Sequence, residues 1–392
     1  MTRILLSALS ARRGGGLTYL RHIVAAFPDN PDRRLSILSA TPIQGLSLRS
    51  NVEWLRAPGW TAHPVLRFAL GFFFFRYLWP LRRSFEAVYY PGGSFDVALP
   101  RQVSKIVAFR NMLPFDKTER RRFPLGWQRL RLWLLKHVQS WAFREADLVI
   151  FISNYARRII DKAVPDRKGK SVVIPHGAAP TQEQLDAAIA ARLPERFVLY
   201  LSILDVYKAQ IELVEAWGKL IRNEHRAEKL VLAGPENPQY GAALRAAIAR
   251  LGLEGEVILL GNVPYDQVSD LARRAALNVF LSSCENCPNI LLELMCIGTP
   301  LLVSARDPMP EFGGPDLDYV EPYDVSALAA ALARILDDRA RREQNAAAAL
   351  IRSEAYDWRK TGEHTWRSIL GLADRQRAAE EAISVANSRR RG

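Results

Sequence analysis

Cysteine is scarce: three residues among 392 cannot build a disulfide framework, so a reducing, cytoplasmic setting is expected. Long apolar runs are missing too. The longest, Phe68 to Phe75, holds eight residues and stops at Arg76, well short of the roughly 20 that a bilayer-spanning helix needs. The opening MTRILLSALSARRGGG follows its short apolar run with Arg12, Arg13 and three glycines instead of a small-residue cleavage site, so secretion is not expected. Metal-ligand spacing is also absent. His22, His63, His137, His176, His225 and His364 are scattered. Cys284-Glu285-Asn286-Cys287 has CxxC spacing with Cys296 following, but no second CxxC or nearby histidine completes a tetrahedral set. No metal and no cofactor are therefore expected. Finally, the first half is poor in acid. Residues 1–190 hold 29 Lys+Arg against 13 Asp+Glu, or +16, and the remainder carries −3 of the total +13. A basic half beside a near-neutral one suggests an anionic partner on that half alone: a membrane surface, an acidic substrate or nucleic acid.

With 49% hydrophobic and 24% charged residues, the chain can bury a core, and its length favours two domains. Short apolar runs alternate with longer amphipathic ones, the pattern of parallel strands joined by crossover helices. Strands are expected near Arg3–Leu9, Leu35–Ala40, Ala87–Tyr90, Lys105–Phe109, Leu148–Ile152 and Val172–Ile174. After the Ala/Gln/Glu-rich segment Ala178–Arg192 the alternation restarts at Phe197–Leu201, Leu230–Ala233, Val257–Leu260, Leu277–Leu281 and Leu301–Ser304. Two doubly wound α/β halves with a cleft between them follow. Beyond Val325 the pattern is helical. A long amphipathic segment from Trp358 carries Trp366, Ile369 and Leu370 on one face, which either packs back across the domain junction or caps the second sheet. The basic end Arg389–Arg391 reads as a solvated tail.

The most informative stretch is Ser282-Ser283-Cys284-Glu285-Asn286-Cys287-Pro288-Asn289-Ile290-Leu291-Leu292-Glu293, which runs from a strand into a helix. Free backbone N–H groups near Asn289, Ile290 and Leu291 suit an anion. Glu285 and Glu293 would flank that anion and accept hydrogen bonds from hydroxyl-rich groups on either side, the layout of a diphosphate between a ribose and a sugar. The plainer reading is two carboxylates stabilised by the helix macrodipole. A second strand–loop–helix segment, Phe197 to Gln210, presents Lys208. Solvated it does nothing, but opposite a diphosphate it neutralises a leaving group. Gly234 in Ala233-Gly234-Pro235 ends a strand and is either a turn glycine or a point of close ligand approach. The run Gly14-Gly15-Gly16 between the first strand and helix would bring backbone close to a diphosphate or an acceptor.

Together these segments resemble the retaining nucleotide-sugar glycosyltransferases of family 4, which have the GT-B fold. The match covers most of the second half and, more weakly, the first. That family's two glutamates eight positions apart fall on Glu285 and Glu293, followed by Gly298-Thr299-Pro300. The resemblance implies that Glu285 contacts the donor sugar, Asn286, Cys287, Pro288, Asn289 and Ile290 contact sugar and phosphate, and Glu293 binds the ribose. Lys208 matches the diphosphate-binding lysine, making it catalytic with Glu285, and Val263 in Leu260-Gly261-Asn262-Val263 is a candidate for holding the base. Two departures stand out. The arginine usual five residues before the lysine is Ile203, and a first-domain histidine is replaced around Arg110 and Asn111, which become acceptor or cleft contacts by position. The domains implied are an acceptor-side Rossmann-like domain at 1–180, a nucleotide-sugar-binding one at 181–356, and at 357–392 a helix packing back toward the first, with its basic tail.

The basic half also interleaves aromatic and basic residues over Pro64–Arg83, at Arg120-Arg121-Arg122, and at Trp127, Arg129, Arg131, Trp133, Lys136, Trp141 and Arg144. Such a pattern is either a core helix with a solvated basic face or an anionic-lipid contact. The expected function is transfer of a hexose from a nucleoside diphosphate sugar to a glycan or lipid-linked acceptor, in cell-surface polysaccharide synthesis, in the cytoplasm at the inner face of a membrane. A sugar-nucleotide epimerase or phosphorylase of the same plan, and a degenerate sugar-nucleotide binder or membrane scaffold, are the alternatives. No nucleic-acid recognition motif is present, so no nucleic-acid partner is expected.

Overall fold

The structure, a computed structural model, describes the chain apart from residues 11–14, 44, 47, 64–65, 68–69, 71–84, 98–102, 224–225 and 390–392. It forms two compact units. The first gathers residues 1–111, 133–176 and 358–392; the second gathers 112–132 and 177–357.

In the first unit seven strands form one parallel sheet: β1 (Thr2–Ser7), β2 (Arg33–Ser39), β3 (Val52–Arg56), β4 (Ala87–Tyr90), β5 (Ser104–Phe109), β6 (Leu148–Phe151) and β7 (Lys170–Val173). Their spatial order is β3-β2-β1-β4-β5-β6-β7. β4 and β6 are buried at every position, as central parallel strands covered on both faces must be. The second unit repeats the plan with β8 (Phe197–Leu201), β9 (Lys229–Ala233), β10 (Val257–Gly261), β11 (Leu277–Phe280), β12 (Leu301–Ser304) and β13 (Asp318–Val320), ordered β10-β9-β8-β11-β12-β13. Each sheet reverses its winding between its first and fourth strands, and ligands of open α/β sheets bind beyond the carboxyl ends of the strands at such a switch point. In the second unit the loops leaving β8 and β11 flank that point.

The helices in chain order are α1 (Gly15–Ala25), α2 (Lys117–Arg122), α3 (Trp127–Glu145), α4 (Asn154–Ala163), α5 (Ala187–Ala190), α6 (Gln210–Asn223), α7 (Pro238–Leu251), α8 (Val268–Arg274), α9 (Asn289–Ile297), α10 (Met309–Gly313), α11 (Val325–Asp337), α12 (Arg339–Ser353) and α13 (Trp358–Arg389). Of the two placements open to the last of these, the structure adopts packing within the first unit. Trp366, Ile369, Leu370 and Ala373 enter one core with Ile4, Leu20 and Ile23. The Trp366 indole N–H donates to the Ile23 carbonyl at 2.7 Å, and Thr361 donates to the Pro175 carbonyl at 2.9 Å. A Cβ at Gly362 would lie 2.2 Å from the Cβ of Ala26, so only glycine lets α13 approach α1 this closely.

Every strand expected from the sequence is present, with ends shifted by a residue or two, and β3 and β13 are additions. Gly15 and Gly16 begin α1 instead of forming a loop, because the helix starts earlier than the glycine run suggests. Gly14 lies outside the described residues. Residues 112–132, which the sequence groups with the first half, belong to the second unit. Their polar contacts, described below, account for this.

Candidate active site

The loop after β8 turns one lysine inward. Asp205 caps the short 3-10 turn Val206–Lys208, accepting the Val206 N–H at 2.8 Å, and Tyr200 donates its hydroxyl to the Lys208 carbonyl at 2.7 Å. Ala209, which follows, has φ of 56°, a left-handed conformation that costs a non-glycine residue energy and persists only where its surroundings impose it. The result is a lysine only 6% exposed. Its Nζ donates to the Glu285 carboxylate and lies 4.9 Å from the ring centre of Tyr207 and 5.4 Å from that of Phe280. Burial pulls the ammonium pKa down, but the charge and hydrogen bond of Glu285 oppose it and leave it raised, so Lys208 stays protonated.

Glu285 comes from the loop after β11, across the switch point. Its neighbours Ser283, Cys284, Asn286 and Cys287 are buried. The loop feeds α9, which has no side-chain N-cap. The Asn289 N–H is used by the Cys287 carbonyl and the Leu292 N–H by the Pro288 carbonyl, both at 3.0 Å. Between them, the N–H groups of Ile290 and Leu291 have no acceptor among the described residues. A helix start with free donors and the positive end of the macrodipole favours an anion. Of the three amides expected to be free, Asn289 is therefore already engaged.

Glu293 lies one turn into α9 and accepts the Tyr265 hydroxyl at 2.8 Å. Burial pushes its carboxyl pKa up to about 7, with the Tyr265 bond a smaller opposing influence. Val263, two residues before Tyr265 in the loop after β10, is buried. Lys208 and Glu285 are thus in direct contact, whereas Glu293 sits farther along the same loop–helix element with a different partner. Gly234 has φ of +141°, and a Cβ there would lie 2.1 Å from the Ser202 carbonyl oxygen. Its close approach is to the backbone of the β8 loop, and its N–H donates to the Gly261 carbonyl at 2.8 Å.

A polar network that the sequence does not single out braces this site. The Tyr323 hydroxyl oxygen lies 2.7 Å from Ser283 Oγ and 3.1 Å from the Glu119 carboxylate. The Ser283 N–H and hydroxyl both donate to the Tyr207 carbonyl, at 2.9 and 3.1 Å. The Arg122 guanidinium stacks 3.7 Å above the Tyr323 ring and bonds Glu212 at 3.0 Å. Burial raises the Glu119 carboxyl above the usual range, against the opposing pull of Ser283 and Arg122. These contacts join residues 117–122 to the second unit. The local signal was Asp116-x-x-Glu119, whose Asp116 carboxylate caps α2 by accepting the Glu119 N–H at 2.9 Å; nothing in the sequence pairs Glu119 with a tyrosine 204 positions away. Tyr265 stands two residues beyond Val263, in the same loop after β10.

The remaining candidates lie in the first unit. Arg110 follows β5 with its guanidinium 4.7 Å over the Tyr19 ring, and Tyr19 shares a hydroxyl–hydroxyl bond with Tyr89. Burial lowers the Arg110 pKa, the two tyrosines opposing it. Its Nε is buried without a hydrogen-bond partner among the described residues, and Asn111 is exposed. Cys284 and Cys287 are buried and form no disulfide, and burial pushes the Cys284 thiol pKa up, so Cys284 is not poised as a nucleophile. Most of the aromatic stretch 64–83 lies outside the described residues. No helix among the described residues is long and apolar enough to cross a membrane.

Residues 181–351 match the family described as glycosyl transferases group 1. A glycogen synthase of Mycobacterium tuberculosis is 27% identical over 257 residues, 63% of this chain and 60% of the relative; the similarity thus spans less than two thirds of that curated relative. Among solved structures, the sucrose-phosphate synthase of Thermosynechococcus elongatus matches with a TM-score of 0.71 and 19% identity, over 97% of this chain and 100% of that one. The HepE protein of Anabaena, solved with UDP and glucose, matches with a TM-score of 0.65 and 17% identity, over 95% and 100%. The fold is therefore that of GT-B proteins.

Proposed function

We propose that this chain, whose residues 181–351 match the group 1 glycosyl transferases and whose fold is that of GT-B proteins, is a retaining family 4 enzyme that moves a hexose from a nucleoside diphosphate sugar to a glycan acceptor. The observation that carries the proposal is the Lys208–Glu285 pair across the switch point of the second sheet, beside an α9 start with two N–H donors that have no acceptor among the described residues. The donor diphosphate accepts from the Ile290 and Leu291 amides and takes over the ammonium of Lys208. Glu285, released from that cation, accepts from sugar hydroxyls. Glu293 accepts from the ribose hydroxyls, and the loop of Val263 and Tyr265 holds the base. The bond from the sugar's anomeric carbon to the diphosphate breaks while a bond from the acceptor oxygen forms on the same face. The acceptor's proton passes to the departing phosphate oxygen, so no enzymic nucleophile is required. Lys208 stabilises the charge that builds on the leaving group, where a fixed donor in a dry site acts most strongly.

The acceptor side falls to the first unit, with Arg110, Asn111 and Gly14–Gly16 as its contacts. A lipid-linked glycan of cell-surface polysaccharide synthesis, met at the cytoplasmic face of a membrane, suits the basic first half. Incubation with an isotope-labelled nucleoside diphosphate hexose and acceptor glycans tests the reading. The expected product keeps the donor's anomeric configuration by NMR coupling, and its formation falls at least about a hundredfold in Glu285→Gln. Return of the label as an epimeric sugar nucleotide, or as sugar phosphate, would replace transfer with epimerisation or phosphorolysis. Ile203, 39% exposed where an arginine is usual, favours a second reading, donor binding without turnover; binding with no product across a broad acceptor set would establish it.

A further inference from the structure

Helix α3 presents an apolar stripe to solvent. Leu132, Gln139, Ala142 and Phe143 are its buried residues, all on one side of the helix. On the opposite side Trp127, Leu130, Leu134 and Trp141 recur at intervals of three, four and seven, a single face. They are 65%, 48%, 45% and 47% exposed. At 1.5 Å per residue the stripe is about 21 Å long. Trp133, also exposed, widens it.

The charge beside this face is mostly of one sign; the exception is Glu145, the last residue of α3 and one turn beyond Trp141, which is paired with Lys168 at 3.7 Å. Between Arg120 and Arg144 the chain holds seven cations and no carboxylate. Arg129 and Arg131, on the two flanks, make no ion pair among the described residues, whereas Arg144 is paired with Asp166 at 2.6 Å. A solvated basic helix has no use for two half-exposed tryptophans and two leucines. A second copy of the chain offering the same stripe would bring like charges together, and a nucleic acid gives the aliphatic residues nothing to bury against. An anionic bilayer surface satisfies both halves of the pattern: indole and leucine side chains enter the headgroup–acyl boundary while guanidinium groups meet lipid phosphates.

We propose that the exposed face of α3, centred on Trp127, Leu130, Leu134 and Trp141 and flanked by Arg129 and Arg131, docks the protein on an anionic lipid surface. Docking is reversible, since one amphipathic helix without a covalent lipid gives modest affinity. Co-sedimentation of the full chain with vesicles of phosphatidylcholine alone, and of phosphatidylcholine and phosphatidylglycerol in equal parts, tests this. The protein is expected to bind the mixed vesicles, to ignore the neutral ones, and to lose binding as salt rises. Arg129→Gln/Arg131→Gln should weaken binding about tenfold or more. Trp127→Ser, at the most exposed position of the stripe, should do the same with a melting temperature close to wild type, Trp141 being left in place because its ring packs edge-on against Phe95 at 5.2 Å, and the wild-type indole fluorescence should shift to the blue on anionic vesicles alone. Equal binding to both vesicle types, undiminished binding by both variants, or a lipid-free dimer that the tryptophan variant dissolves would overturn the proposal, the last assigning the face to a second copy.

Discussion

The carboxyl of Glu293 carries its own test. Burial raises its pKa to about 7, so the folded protein favours the protonated form. The resulting contribution to stability is fully present below the ordinary carboxylate value and is lost as pH climbs through about 7. Ribose hydroxyls donating to the carboxylate would favour the charged form and draw that pKa down. Nucleotide binding is therefore expected to release a proton, most of one at roughly pH 6, and none in Glu293→Gln. Calorimetric titrations in two buffers of different ionisation enthalpy report this number. Equal proton release in wild type and variant would remove Glu293 from the ribose site. At this scale the sequence pattern was informative where spacing along one element mattered: Glu285 and Glu293 share a loop and helix, so their separation is local. It was silent on partners. The bond from Tyr265 to Glu293 and the direct seat of Lys208 on Glu285 depend on β8, β10 and β11 lying near one another, which no short window reveals.

Elements brace those residues, and the Glu119–Tyr323–Ser283 chain couples three of them. Tyr323→Phe removes the hydroxyl that Glu119 and Ser283 share, leaving a buried carboxylate short of a donor. The expected cost is about 1–3 kcal/mol of unfolding free energy, with a further loss of transfer because Ser283 precedes Glu285 by two residues. Urea denaturation checks the first and product formation the second; a variant with wild-type stability and rate would show that the network is ornamental to the loop. The strands that the sequence does not disclose are instructive in the same way. β3 is an edge strand in which only Val52 is fully buried, so its apolar periodicity is weak. β13 is three residues long and opens on Asp318, 3% exposed, held by Arg341 and by the Asn345 amide at 3.0 Å. An aspartate paired from a later helix carries no β signal in its own segment. The central strands, buried on both faces, read as plain apolar runs and are found directly.

For the whole molecule, two sheets share one strand order, so each unit has its own switch point, and the charge divides between the halves of the sequence. The +16 of residues 1–190 gathers much of its density near α3, where the lipid proposal uses it, while the donor proposal rests on the near-neutral second half. The alternation of apolar and amphipathic segments disclosed both sheets. It could not disclose that residues 112–132 join the second unit, since that follows from side-chain bonds between α2 and residues up to 204 positions away. Nor could it choose a surface for α13, which depends on Gly362 meeting Ala26 and on Trp366 reaching the Ile23 carbonyl.

The pairing of Lys208 with Glu285 as the grip on a donor diphosphate is the claim from which the rest descends, and calorimetric titration of nucleoside diphosphates, UDP first, into wild type and Lys208→Met tests it most directly. The account predicts saturable binding to the wild type and a loss of at least about tenfold in the variant, the worth of one charged hydrogen bond, with melting temperature tracked as a check on folding. Equal affinity in a folded Lys208→Met protein, or no binding of any nucleoside diphosphate to the wild type, would contradict it.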